Sequence, residues 1–468
     1  MQFRSCLTYP HEACIILAMN LIARGPLRSL LRSRFFPRLL QAATVCALFG
    51  IVALGWRQYP PARSYGLLYE QSEIVNFLLW GLWWPLLIWI IVLFGRLWCS
   101  VCPLEMIAAG GARLGAMAGL RPGRRGPWLQ AGWVLFASYF TVQALHAGSY
   151  QLRVPHYTAL FLITLVGLAL LVGTRYQDRT FCHAFCPAAL TLSLYGRGAV
   201  LAVRPTGGKS APVPASQPAV CPSGLDPLHL TANTDCLMCG QCIKALGPEK
   251  VGLILQPPFP PSDPRPPHAS WPATLFVMTT CGFVAKRLFC QTPHAVEQAF
   301  LWPINWAVGT FGASWRGLAS VTWLLLMFPL LLWLLLGTLT WIVGGASGLR
   351  DAWRRLALPA IVIMAGADMA KAMYKVSSRA RFLPHVLDDP HGWVTTSAIG
   401  NGQMAMPVSW MSLTTIALVS CGLVVLALVF GVREARLAAP TSYLRRCPAL
   451  LLFAALFLGP LLLMAWQG

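Results

Sequence analysis

About nine stretches of roughly 20 residues, all but the one near 273–290 dense in Leu, Val, Ile, Ala and Phe, limit what this chain can fold into more than any other feature. Inside a bilayer every backbone polar group must find its partner within the segment, so such stretches become helices. They fall near 39–56, 74–94, 128–147, 155–174, 273–290, 320–343, 356–376, 409–431 and 447–465. The chain is 56% hydrophobic and 11% charged. A soluble globular chain carries roughly 25% charged residues, so one large soluble core is excluded. The expected class is an all-α polytopic membrane protein.

The formal net charge of +21 raises the question of nucleic acid. Lys and Arg cluster at the ends of the apolar stretches, as the positive-inside rule requires, and no aromatic-plus-basic module accompanies them, so no nucleic-acid partner is expected. The same rule orients the chain. With the amino terminus inside, Arg96, Arg113, Arg121, Arg124 and Arg125 fall on the inner side, and the opposite loops carry Arg57, Arg63 and Arg153. Counting 273–290 as a span keeps Arg350, Arg354, Arg355, Arg433, Arg436, Arg445 and Arg446 inside too, which gives about nine helices, N-in and C-out. Three regions follow: a four-helix membrane domain over 1–174, a polar cytoplasmic insert over 175–270, and about five helices over 271–468. Pro257 to Pro267 reads as a Pro-dense tether back to the membrane. No cleavable leader is read around Ala13 to Ala23, and Met19 makes a natural alternative start.

The cysteines, 15 in number, are distributed unevenly. Cys236, Cys239 and Cys242 form a C-x2-C-x2-C array, with Gly240 leaving room for the backbone to wrap. Three thiolates so spaced suit three corners of an iron–sulfur cube that takes four cysteines. The fourth position of the ferredoxin pattern is Leu246, but a detached Cys221-Pro222 stands upstream. In two-cluster ferredoxins the fourth cysteine of one run ligates the other cluster. The chain therefore keeps one complete ligand set, Cys221, Cys236, Cys239 and Cys242, and lacks the other. We read a small ferredoxin-like insert holding one [4Fe–4S] cluster. A zinc site favours two C-x2-C pairs and fits less well, and disulfides do not suit a cytoplasmic insert.

Two further pairs lie at span boundaries, Cys99 with Cys102-Pro103 and Cys182 with Cys186-Pro187. Four soft thiols at one depth suit a second cluster, copper or a redox disulfide, and spacing does not choose among them. Packing as small hydrophobes is the alternative, and the expectation for Cys46, Cys281, Cys290, Cys421 and Cys447. Lys244 sits beside the cysteine array. Asp368 and Lys371, three residues apart in a span, suit a proton or quinone site or a neutralised ion pair. His146, Tyr150, Arg153 and His156 gather at span ends as interfacial anchors or a quinone or haem site, and His385, His391, Asp388 and Asp389 share an outer loop.

Gly95-Arg96 through Cys99 and Cys102-Pro103, Cys182 through Cys186-Pro187, and the run after Cys221 together resemble bacterial polytopic iron–sulfur membrane proteins of the NosR/NapH type, and more distantly the CcoG/FixG oxidase-accessory proteins. The resemblance covers roughly residues 20 to 255 and departs from the family at Cys-x2-Cys-Pro, where Cys-x3-Cys-Pro is usual, and in keeping one cluster. It implies an inner-membrane electron carrier, or an oxidoreductase subunit rather than a stand-alone enzyme. Such a protein relays electrons between quinol or a cytoplasmic donor and a partner redox enzyme or its assembly machinery. A copper-handling or thiol-redox accessory protein, and a non-redox scaffold or sensor with a structural cluster, are the competing readings.

Overall fold

A computed structural model describes residues 19–20, 29, 33, 35–148, 151–177, 179–206, 220–261 and 263–467. The described chain is mostly helical. Seven of its helical stretches are long and apolar enough to cross a membrane: Arg38–Gly55, Ile74–Met117, Pro155–Arg175, Ala313–Ile342, Leu349–Ala380, Leu413–Ala438 and Tyr443–Trp466. By length and composition this is a multi-pass membrane protein. Two expected spans are helical but fall outside that set. Trp133–Gly148 has 16 residues, and Trp271–Phe289 is diluted by Thr274, Thr279, Thr280, Lys286 and Arg287.

The elements used below are β1 (Met19–Asn20), α1 (Arg38–Gly55), α2 (Trp84–Phe94), α3 (Pro103–Met117), α4 (Trp133–Gly148), α5 (Pro155–Arg175), β2 (Leu201–Pro205), α6 (Gln241–Leu246), β3 (Val251–Leu255), α7 (Trp271–Phe289), α8 (His294–Phe311), α9 (Phe328–Ile342), α10 (Leu349–Ala380), α11 (Leu413–Ala438) and α12 (Cys447–Gln467). They divide between two compact units. The first is Met1–Cys46, Ile90–Gln130 and Leu168–Arg265, and the second is Ala47–Trp89, Ala131–Gly167 and Pro266–Gly468. These units are discontinuous in sequence, unlike the consecutive regions read from hydropathy.

In the first unit a three-stranded antiparallel sheet runs in the order β1-β3-β2, with Leu201 opposite Leu255 and Pro205 opposite Val251. Leu201, Val203, Val251 and Leu253 face Met238 and Ile243 in a small apolar core, against which Cys236 and Cys242 pack. Strand alternation thus holds the cysteine loop on one face of the sheet. The Pro-rich tether is a folded loop. The Arg265 guanidinium donates to the carbonyls of Phe259, Pro260, Pro261 and Asp263, and Asp263 pairs with Arg204 on β2 at 3.1 Å. Elsewhere in this unit α3 crosses the end of α5 with backbones in contact. A Cβ on Gly111 would overlap the Leu170 carbonyl, and one on Gly173 the Ala108 carbonyl. Small residues at helix crossings permit that approach where lipid offers no hydrophobic drive.

In the second unit α10 is the central helix, with 94% of its apolar window buried. It packs on α7, α9 and α11. Its run of Ala, Gly and Met from Ala360 to Ala372 is almost wholly enclosed, which explains how an otherwise polar helix sits in a membrane domain.

Candidate metal centre

Both cysteine sets lie in the first unit. In the insert the chain turns sharply through Met238 (φ 52°) and Gly240 (φ 73°) before α6 begins. Left-handed backbone costs a non-glycine residue about 1–2 kcal/mol, and at Met238 the strained turn lets its own N–H donate to Cys236 Sγ at 3.4 Å. The turn gathers Cys236, Cys239 and Cys242. Cys221, from a separate turn closed by Gly224 N–H on its carbonyl, stands near enough that a charge on it opposes ionisation of each of the other three. Burial pushes the Cys236 thiol up to about 12, with Cys239 and Cys221 adding to it. Burial also lifts Cys242 to about 12, helped by Cys236, Cys239 and Cys221. The Cys239 thiol is raised by burial as well, against donation from the Gln241 N–H.

Lys244, on α6, donates to the carbonyls of Ser33 and Phe36. It acts first as a tie to the segment before α1. Burial lowers its pKa, while Cys239 nearby supports its charge.

The boundary cysteines also converge. Cys99 ends a tight turn over Gly95–Ser100, and Cys182 lies in a wide turn over Phe181–Phe185. Cys102 (φ −65°, ψ 129°) and Cys186 (φ −65°, ψ 120°) share one extended conformation, each just before a proline that leads into a helical segment. A following proline disfavours helical backbone at the cysteine and suits the first turn of the helix after it. Cys182 faces Cys102, Cys186 and Cys99, and burial with these neighbours raises its thiol well above the usual range. Cys186 is pushed up to about 11, by burial and then by Cys99. Every described cysteine is a free thiol.

Arg96 was marked in the sequence only as part of a motif, and its role is tertiary. It is 1% exposed. Its Nη1 donates to the Thr234 carbonyl at 2.8 Å and to Ser193 Oγ at 3.2 Å, and its Nη2 donates to the Cys182 carbonyl at 3.3 Å. One guanidinium therefore joins the loop before Cys236 to the loop carrying Cys182. Glu105, 3% exposed, pairs with Arg179 and accepts from Gln41. His183 follows Cys182 with its Nε2 buried and unpartnered. Burial, Arg96, Arg125 and Arg179 press its pKa down to about 2. Guanidinia on this side of the thiols leave a surplus of positive charge that a metal–thiolate centre of net negative charge would balance.

Among the described residues no three His, Cys, Asp or Glu side chains are close enough to grip a single metal ion. Four thiolates around one zinc stand about 3.8 Å apart, as the zinc–sulfur length of about 2.3 Å dictates. A cluster that carries its own irons and sulfides between the ligands takes a wider set. Thiolates beside guanidinia are the kind of donor and charge setting that an iron–sulfur cluster takes.

The remaining candidates, Cys46 apart, lie in the second unit. Asp368 and Lys371 pair at 2.6 Å. His146 packs edge-on against Trp80, ring centroids 4.4 Å apart. His156 nests among Trp56, Tyr59 and Tyr157 and accepts from the Arg57 N–H, an aromatic-belt arrangement. Tyr150 lies outside the described residues. Asp389 accepts from the Thr395 N–H and His391 packs on Trp393, which gives both structural work. Cys281 is fully buried, whereas Cys46 is exposed on α1, so packing inside the protein is not the environment of Cys46: its helix turns that side outward. No protein-family model, no curated protein and no solved structure matches this chain.

Proposed function

We propose that the chain is a membrane-bound iron–sulfur electron-transfer protein, with one [4Fe–4S] cluster held by Cys221, Cys236, Cys239 and Cys242. The observation that carries this reading is that Cys221, 15 residues upstream of the array, lies within electrostatic reach of three cysteines whose spacing suits a cube. When bound, such a cluster supplies one-electron chemistry at a potential set by burial, charge and hydrogen bonds to sulfur. The chain's part is to hold the ligands and set those terms. Gly240 and Met238 turn the loop, the Met238 N–H donates to sulfur, and the apolar face of the sheet packs against Cys236 and Cys242. Arg96 locks the loop before Cys236 to Cys182, so Cys99, Cys102, Cys182 and Cys186 form a second candidate ligand set within the same unit. A second cluster and copper both suit those thiols.

In this reading the chain sits in a bacterial inner membrane with about nine spans, the two short or polar helices α4 and α7 included, and the insert on the cytoplasmic side. It relays electrons between quinol or a cytoplasmic donor and a partner redox enzyme or its assembly machinery. The deciding experiment is anaerobic purification with iron and sulfide quantitation of the wild type and Cys239→Ser. About four irons per chain, lost in the variant, support the single cube; about eight, with four retained, assign a second to the boundary set. Wild-type protein with zinc and no iron overturns the proposal.

A further inference from the structure

The last third of α10 carries charge that electron transfer in the first unit does not use. Lys371, Lys375 and Arg379 recur every four residues and share one helix face. Arg153 and Arg287 come to that face from neighbouring elements, so Lys375 is surrounded by Arg153, Arg379, Arg287 and Lys371. His146 faces the same group through Arg153, Lys375 and Lys371. Two carboxylates stand against these cations. Asp368 holds Lys371 at 2.6 Å. Glu70 serves two guanidinia, Arg153 at 3.2 Å and Arg379 at 3.6 Å. The Arg379 side chain is 7% exposed, and its Nη1 and the Arg287 Nε are buried without hydrogen-bond partners. Among the described residues no acceptor pairs with the Lys375 ammonium. Aromatic rings take up part of the charge, Phe283 under Lys371 at 4.8 Å and Tyr374 under Arg287 at 5.3 Å.

A lysine crowded by like charge can shed its proton, but a guanidinium stays charged at any physiological pH. Three guanidinia around Glu70 therefore keep a surplus of positive charge in a low-dielectric interior, where uncompensated charge is costly. Forked N–H donors match phosphate and carboxylate oxygens, and an ammonium adds a point charge. Forked donors from several sides suit the anionic oxygens of a phosphate, monoester or diester, better than a single carboxylate. We propose that Arg153, Arg287, Lys375 and Arg379 form a binding site for a phosphate group, borne by a lipid headgroup or by a free phosphate compound. The site lies wholly in the second unit and is independent of the iron–sulfur reading.

The test uses the full-length protein in a phosphate-free maltoside detergent. Thermal unfolding is followed against inorganic phosphate, against short-chain phosphatidylglycerol, and against potassium chloride at matched ionic strength. The expected result is a saturable upward shift with a phosphate species that chloride does not reproduce. Lys375→Gln weakens that response about ten-fold, the scale of one lost charge-assisted contact, with iron content unchanged. Arg379→Gln removes a partner of Glu70 and is open to misfolding. Lys375→Gln orphans nothing, so the test stands on it. A response to phosphatidylglycerol alone assigns the site to a headgroup, and a response to inorganic phosphate assigns it to a soluble compound; both uphold the site. If neither phosphate species exceeds the chloride control, or if Lys375→Gln responds like the wild type, the proposal is wrong.

Discussion

Replacing Arg96 with Met tests how the cysteine loops are held together. The side chain is 1% exposed, and Met fills much of its volume, so the change isolates the polar contacts. Those are the strong bond to the Thr234 carbonyl at 2.8 Å and two longer ones, to Ser193 Oγ at 3.2 Å and the Cys182 carbonyl at 3.3 Å. A hydrogen bond to a charged group contributes about 1.5–3 kcal/mol. The Thr234 carbonyl keeps the Ser193 hydroxyl at 3.0 Å, so it is not orphaned, and burying a guanidinium has a cost that Met escapes. The net loss is about 3 kcal/mol, which for the 468-residue chain corresponds to a fall of roughly 3 °C in unfolding temperature. Because the bonds end on the cysteine loops, iron content should fall with it. Arg96→Lys reaches one carbonyl but not both loops, and should lie between. Thermal unfolding and iron quantitation on the same preparations check this. Arg96→Met with wild-type iron content and an unfolding temperature within about 1 °C of wild type would refute the reasoning.

Three further outcomes follow from the geometry. Gly240→Ala puts a Cβ at φ 73° and should cost about 1 kcal/mol, visible as slower cluster reconstitution with little change in global unfolding. Gly173→Leu drives a side chain into the Ala108 carbonyl and should destabilise by about 1–3 kcal/mol or more, read as lower yield and earlier unfolding, whereas the same change at Gly50, which has nothing within 4 Å, should be tolerated. Arg265→Ala frees four carbonyls of the Pro-rich loop and should make the segment from Phe259 to Arg265 a new protease-sensitive site, as limited proteolysis would report.

Much of the site was legible because its chemistry is local. The array at Cys236, Cys239 and Cys242 is a spacing, the two Cys-Pro boundaries are a repeated pattern, and Asp368 with Lys371 is a helical step. Arg96 was visible only as a neighbour of Cys99, since its acceptors lie 86, 97 and 138 residues away. Arg265 was hidden because proline density describes an extended linker as well as a loop wound about a guanidinium. The cationic face on α10 draws Arg153 and Arg287 from distant elements, and no window of sequence contains them together.

The sequence by itself determined that this chain lives in a membrane, because apolar length and scarce charge leave a helix few other environments. It also fixed which cysteines are candidates, because ligand spacing along a loop is a property of the chain. Tertiary structure alone decided that Cys221 lies within electrostatic reach of the array, that one buried guanidinium ties two cysteine loops, and that cations from separate helices share one face. Those are distances between residues far apart in sequence, set by how helices and sheet pack and not by what any segment prefers alone.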